Sequence, residues 1–433
     1  MGKTVKSKSR QVGEKMFSLI EELYPICRSI TGNGVRKTLN ILKKQIPLEV
    51  HEVPTGTKVF DWRVPKEWNI NDAWLKDAEG NKVVHFQDSN LHVLNYSIPV
   101  DRKVSLDELK DHLYTLPDQP ELIPYRTSYY NEQWGFCMQH STFENLEGGE
   151  YHAYIDSSLK EGSLTYGELY IEGDSKEEIL ISCHVCHPSL CNDNLSGISV
   201  ATQLAKDLLG KKNRYSYRLL FIPGTIGSIT WLSENEEKLR NMRNGLVLSC
   251  VGDEGDVHWK KTREEHSEVD RAVSRVLKES GDSFELLDFS PYGYDERQFS
   301  SPGIGLDVGC FMRSPWGSFP EYHTSADNLD FVHPESLEDS FSKISSILQL
   351  LENNRTYKNL NPKCEPQLGR RGLYSKTAVD SQQAVDHMAV LWVLNLSDGS
   401  NSLLDISERS EIPFNSIRVA ADALKEANLL KEV

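Results

Sequence analysis

Between Glu178 and Leu208 the sequence EILISCHVCHPSLCNDNLSGISVATQLAKDL places an apolar run and a helical repeat on either side of a loop rich in metal-binding side chains. Ile179, Leu180 and Ile181 read as the end of a strand, while Ile198, Val200, Ala201, Leu204 and Leu208 recur at helical spacing. A strand, loop and helix in this order belong to an α/β sheet. His184, His187 and Asp193 then sit at the carboxyl end of a strand, where open α/β sheets place their chemistry.

Such a stretch is half of a metal site, because a helix-covered sheet gathers ligands from the ends of several strands. Two distant segments offer the other half. GLVLSCVGDEGD, residues 245–256, is an apolar strand that ends in Asp253 and Glu254, and EYHTSADNLD, residues 321–330, carries His323 with Asp327 four positions on. Histidine and carboxylate ligands without a thiolate cluster suit a catalytic zinc better than a structural one. His187, followed by Pro188, is either a fourth ligand or a brace for the loop. Asp327 is placed to fix the tautomer of a ligating His323. Cys183, Cys186 and Cys191 invite a cysteine-rich zinc site, but strand alternation buries Cys183. Glu236 and Glu237, after Trp231 and Leu232, read as a solvated helix face.

The order of His184, Asp193 within NDNLSG, Asp253 after a strand and His323 in YHTSADN resembles the di-zinc aminopeptidase and glutamate carboxypeptidase superfamily. Over nearly its full length the chain more closely resembles a bacterial family of aminopeptidase-like proteins often associated with polysaccharide biosynthesis. The motifs that carry this likeness are ELYPICRSITGNGVRKTL, HEVPTGTKVFDWRVPKEW, SNLHVLNYSIPV, IPYRTSYYNEQWGFC, CHPSLCNDNLSG, PYGYDERQFSSPG and EYHTSADN.

The resemblance implies His184 and Asp253 as ligands of one metal, His323 as a ligand of a second, and Asp193 as the bridge. It also exposes departures. In the superfamily two adjacent glutamates follow a strand, one as general base and one as ligand, whereas FIPGTIGS puts Gly224 and Thr225 there. Cys186 replaces an aspartate two residues after the first histidine. One zinc ion is therefore expected rather than two, and a proton acceptor must come from elsewhere. Glu254, Asp295 and Glu296 are the candidates, because hydrolysis at a metal needs a carboxylate to pass a proton to the leaving group. Arg297 could hold a substrate carboxylate bidentately, and Tyr294 and Tyr322 could orient a carbonyl or a sugar hydroxyl. DERQF reads equally as an internal salt-bridge network.

At 433 residues the chain exceeds one compact core and fits two or three domains. A net charge of −16 disfavours general nucleic-acid binding. No apolar run approaches membrane-spanning length, MGKTVKSKSRQVGEKMF lacks the apolar core of a signal peptide, and eight scattered cysteines suit reduced thiols, so a cytoplasmic protein is expected.

The expected fold class is α/β: a zinc-aminopeptidase-like mixed sheet flanked by helices, discontinuous over residues 11–47 and 143–365. A β-rich insertion covers 48–142, where short β runs are broken by Pro and Gly. A polar linker from Asn353 to Tyr374 leads to a winged-helix-like module over 374–433. From Asp380 to the end that module carries four basic and nine acidic residues, which argues against phosphate contact and favours packing or homo-oligomerisation. The expected function is zinc-dependent hydrolysis of an amide bond in a peptide or an amino-acid- or sugar-linked metabolite. The rival readings are a catalytically silent binding protein and a metabolite-sensing regulator with a DNA-binding module.

Overall fold

The computed structural model describes residues 2–373 and 386–433. The chain forms two compact units, one of residues 1–265 with 283–342 and one of 266–282 with 343–433.

The first unit is built on an eight-stranded mixed sheet. Its strands, in spatial order, are Glu49–Pro54, Ser163–Ile171, Ser216–Ile222, Glu178–His184, Met242–Leu248, Val308–Met312, Val257–Lys260 and Phe284–Leu287. The four from Ser216–Ile222 to Val308–Met312 run parallel, while antiparallel pairs lie on either side. Every residue of Glu178–His184 and Ser216–Ile222 is buried, as expected for central strands covered on both faces. Two charges inside these strands answer each other: Arg218 Nε donates to Glu178 at 2.6 Å, and its Nη1 pairs with Glu168. Helix Gly197–Leu209 buries Ile198, Val200, Ala201, Leu204 and Leu208, the apolar repeat read from the sequence.

The β-rich insertion is a four-stranded antiparallel sheet in the order Lys82–His85, Glu67–Lys76, Glu150–Lys160 and Val100–Ser105. It has its own core, including Ala73, Leu75, Val104, Phe136 and Ile155. Its edges differ from the expected 48–142. Glu49–Pro54 pairs with Ser163–Ile171 in the main sheet, and Glu150–Lys160 is a central strand of the insertion. Short alternating strands fit either sheet, and local pattern does not encode which partner they take.

The second unit holds helices His387–Leu396, Leu403–Ser410 and Phe414–Glu426 with a three-stranded sheet, Asp398–Ser402, Thr356–Asn359 and Leu430–Glu432. The α/β architecture with an added winged-helix module is thus present, but the module reaches back beyond 374. Thr356–Asn359, expected in a linker, is the middle strand. Four residues with only Tyr357 and Asn359 buried give too short a pattern to read. Asp398–Ser402, a turn-like DGSNS by composition, is a strand as well. Residues 374–385, including the expected start of the module, lie outside the described residues.

Helix Glu268–Ser280 belongs to this second unit and opens with a capping box between Ser267 and Asp270. Arg271 pairs with Asp405 and Glu408, both at 2.5 Å. Arg275 Nη2 donates to the carbonyl of Ile412 at 2.5 Å, and Glu279 accepts the backbone N–H of Phe414 at 2.8 Å. No helix among the described residues is long and apolar enough to cross a membrane.

In the first unit, Arg36 on helix Asn33–Leu42 bonds Glu52 of the edge strand at 2.7 Å and Glu67 of the insertion at 2.7 Å. The bond to Arg36 holds the Glu67 carboxyl down at about 2, and Glu52 is lowered by the same partner. Because these folded-state values lie below the unfolded one, the stabilisation is complete above about pH 4.3 and is lost as pH falls toward about 2. Arg36→Met is expected to cost about 1 kcal/mol at pH 6, a modest figure because the arginine is partly exposed. Urea unfolding across this range should show the variant's stability falling less steeply with acid than the parent's.

Candidate metal centre

His184 is the last residue of its strand, and the loop that follows turns Asp193 back onto it. His184 Nε2 lies 2.8 Å from Asp193 Oδ1, His323 Nε2 lies 2.9 Å from Asp193 Oδ2, and His187 Nδ1 lies 3.3 Å from the same Oδ2. The His184 and Asp193 side chains are fully buried, while the His323 side chain keeps 27% exposure and marks the open side. Among the described residues, His184, His187 and Asp193 are the one group of three or more His, Cys, Asp or Glu side chains whose ligand atoms lie within 4.8 Å of one another.

Burial pushes the His184 imidazole down to about 4 against the pull of Asp193, and it lowers His323 as well. Burial acts the same way on His187, but Asp193 outweighs it and the net shift is upward. Burial opposes ionisation of Asp193, yet His187 and His184 hold its carboxyl well below the usual range. The result is an ionised carboxylate among imidazoles, two of them biased to the neutral, ligating form.

This donor set fits zinc. The ligand atoms of His184, His187 and Asp193 lie within 4.8 Å of one another, near enough to converge on one ion. The group offers two imidazole nitrogens and a carboxylate oxygen, with His323 bonded to the same carboxylate and no cysteine among them, which matches the chemistry of catalytic rather than structural sites.

The loop is held from outside. Asp327 accepts the backbone N–H groups of Asn192 at 2.6 Å and Asp193 at 3.0 Å, so it orders the ligand loop and does not bond His323. Burial pushes the Asp327 carboxyl up to about 7. The Asn194 amide meets His184 Nδ1 at 3.3 Å and donates to Leu248 O at 2.9 Å. Arg28, fully buried, donates to the carbonyls of His187 at 2.7 Å, Pro188 at 2.9 Å and Leu23 at 2.8 Å. Rings then close over the histidines. Tyr294 stacks on His184 with centroids 3.7 Å apart and bonds His187 Nε2 at 3.0 Å, and Tyr322 stacks on His323 at 3.9 Å. Tyr125 stands edge-on to both His187 and His323.

Other expected site residues fall elsewhere. Asp253 is buried but bonds Asn192 Nδ2 and Ser314 Oγ, each at 2.7 Å, so it braces the loop and is absent from the ligand group. The residue that directly follows the strand Met242–Leu248 is Ser249. Glu254 points to solvent, with His333 as its ion-pair partner at 3.8 Å. Glu296 is buried against Lys260 at 2.8 Å, an internal pair. Asp295 is buried, accepts from Ser228 Oγ at 2.8 Å and has its second oxygen without a partner. Burial pushes its carboxyl up to about 7. Arg297 is half-buried, and its Nε likewise has no partner. At Gly224 an added Cβ would lie 2.5 Å from the Tyr294 ring and 3.3 Å from His184 Cβ. The tyrosine ring therefore fills the space beside the ligand where a longer side chain would have to project.

Arg28, Asn192, Asn194 and Tyr125 were not singled out from the sequence. Arg28 had one signal, a lone charge in the stretch LYPICRSI, and the two asparagines flank Asp193 directly.

The fold and this cluster define an aminopeptidase-like α/β protein with an appended winged helix. The chain belongs to the family described as a domain of unknown function, DUF4910, which matches residues 17–354. A winged helix-turn-helix family matches residues 355–432. A protein of Clostridium acetobutylicum, provisionally named a polysaccharide biosynthesis protein with an aminopeptidase-like domain, is 55% identical over 98% of each chain. A crystal structure from the same organism, provisionally described as a peptidase, is 54% identical with a TM-score of 0.94, covering 100% of this chain and 99% of that one. A zinc aminopeptidase from Bacillus subtilis shares the fold at a TM-score of 0.57 and 13% identity, over 78% of this chain and 94% of that one.

Zinc titration of metal-free protein followed by calorimetry and elemental analysis is expected to give about one ion per chain. Asp193→Asn should abolish uptake, and Arg28→Met should weaken it by about 10–100-fold through the loosened loop.

Proposed function

We propose that this protein is a zinc-dependent hydrolase of aminopeptidase or carboxypeptidase type, cleaving an amide bond in a peptide or an amino-acid- or sugar-linked metabolite. The observation that carries this reading is the buried Asp193 carboxylate shared by His184, His187 and His323 at the carboxyl end of the central parallel strands. His184, His187, Asp193 and His323 are the residues that would hold the ion. Bound zinc supplies Lewis-acid polarisation and lowers the pKa of water. The chain itself contributes ligands already desolvated, a tyrosine shell that limits water, and the open side at His323 and Tyr322, where a substrate carbonyl or hydroxyl can meet the Tyr322 phenol.

Proton transfer needs a carboxylate that is not already committed. Glu254 faces solvent and Glu296 is neutralised by Lys260, which leaves Asp295. Its carboxyl near 7 suits exchange of a proton at neutral pH, and its neighbour Tyr294 touches two of the histidines. The relative's provisional name supports a role in polysaccharide biosynthesis. Eight free cysteines support a reducing compartment, the cytoplasm.

A second reading, a binding protein without turnover, is favoured by the Tyr294 ring beside Gly224. Product release from aminoacyl, peptidyl and N-acyl-sugar substrates separates the two. On the hydrolase reading, Asp295→Asn lowers kcat by about 100-fold or more with zinc content unchanged, while Gly224→Glu brings no gain because it collides with Tyr294. No release from the zinc-loaded parent on any substrate favours the silent protein.

The winged helix is assigned here to packing rather than DNA reading. The first amide of helix Phe414–Glu426, the end a recognition helix turns to the major groove, is occupied by Glu279. Duplex DNA at low salt is expected to pass without retention in a gel-shift assay, and salt-sensitive retention would restore the regulator reading.

A further inference from the structure

A cavity of about 350 Å³ opens beside the hairpin formed by Lys58–Val59 and Trp62–Arg63. None of its lining residues belongs to the histidine cluster. Its volume lies within the range of about 300–1,000 Å³ usual for small-molecule sites. Phe60 and Trp62 line it and are unusually open for their size, 41% and 45% exposed. Single exposed aromatics are ordinary, but adjacent ones that form a patch call for a partner. Tyr130 extends the patch, its ring 5.2 Å from that of Trp62. The turn does not need an aromatic residue either. Phe60 sits at φ +52°, where Asn or Gly would serve a tight hairpin better.

Ile229, Leu232 and Ile304 extend the apolar wall, and polar groups stand at intervals along it. Asp61, Glu236 and Gln298 border the cavity, and none of their side chains has a protein partner among the described residues. Both charged lining residues are acidic. Flat apolar faces beside several free acceptors suit a ring with a C–H face and a rim of hydroxyls, and two carboxylates repel an anionic one. We infer that this cavity binds a hexopyranose carrying no acidic group, with a ring face on Trp62 and Phe60 and its hydroxyl or amino groups on Asp61, Glu236 and Gln298. The aromatic patch continues from Tyr130 to Tyr129, whose hydroxyl meets that of Tyr125 at 2.7 Å. Tyr125 in turn touches His187 and His323, so a saccharide held here lies on a track of rings leading to the histidines. Binding does not depend on turnover at that cluster.

Glucose, glucosamine and glucuronate titrated into the full-length protein, followed by calorimetry and saturation-transfer NMR, test the inference. Glucose and glucosamine should bind saturably, with glucuronate at least about tenfold weaker. Trp62→Ala should weaken the two by about tenfold or more, with an unchanged circular dichroism spectrum, and Glu236→Gln should narrow the gap to glucuronate. No saturable signal from glucose or glucosamine, equal affinity for glucuronate, or undiminished binding by Trp62→Ala would overturn it. So would binding of a basic peptide in place of any sugar. Zinc uptake and amide hydrolysis are separate readouts, so failure here is distinguishable from failure of the hydrolase reading.

Discussion

A single buried carboxylate governs the first unit. Removing an ionised aspartate from water is costly unless it is paired and fully hydrogen-bonded, and Asp193 is entirely enclosed. Both of its oxygens are used, one by His184 and the other by His187 and His323. That arrangement exists only if the loop between strand and helix keeps its shape, and the loop's own polar groups are directed outward to do so. Its carbonyls at 187 and 188 go to Arg28 and its N–H groups at 192 and 193 go to Asp327. Arg28 is itself a buried charge, bonded to carbonyls, and burial lowers its guanidinium to about 10. A buried cation outside the loop and a buried anion inside it are thus set on opposite sides of one short piece of backbone.

The rings of Tyr294, Tyr322 and Tyr125 follow from the same constraint. They complete the burial that keeps His184 neutral, and they do so by stacking on imidazoles rather than by supplying further charges. Gly224 is the clearest case: it has no side chain, and the Tyr294 ring occupies the space a Cβ there would enter. Glycine at 224 and tyrosine at 294 therefore depend on each other: a Cβ at the first position would lie 2.5 Å from the ring at the second.

The parts of this site that share one stretch were legible, and the parts that depend on tertiary pairing were not. His184, His187 and Asp193 could be placed from an apolar strand, a helical repeat and the loop between them. His323 came from the pairing of a histidine with an aspartate four positions on in EYHTSADNLD, ahead of a helical pattern, with no periodic signal of its own. Asp253, expected as a ligand at a strand end, lies beyond the strand Met242–Leu248 in the following loop and outside the ligand group. Proximity to a strand terminus does not fix which way a side chain turns, and Asn192 and Ser314 claim this one. Arg28 could not be found by pattern, because its role is defined by carbonyls more than a hundred and fifty residues away. The same limit moved the domain edges: Glu49–Pro54 and Thr356–Asn359 are short strands whose partners lie in sheets that local sequence does not specify.

The acidity of the carboxyl-terminal module has a structural origin that a charge count misses. Several of the nine acidic residues counted against DNA binding are already paired. Asp405 and Glu408 meet Arg271, Asp422 meets Arg418, and Glu432 meets Arg355 and Lys425. The formal excess therefore overstates the field that a phosphate backbone would meet, and charge alone is a weak ground for excluding DNA. Geometry is the stronger ground. Helix Glu268–Ser280 uses Arg275 and Glu279 to bind the carbonyl of Ile412 and the amide of Phe414, the two ends of the turn that launches the last long helix. An amide already satisfied by a carboxylate offers nothing to a phosphate oxygen. Asp405 and Glu408 of this module, through Arg271, fasten it to that helix.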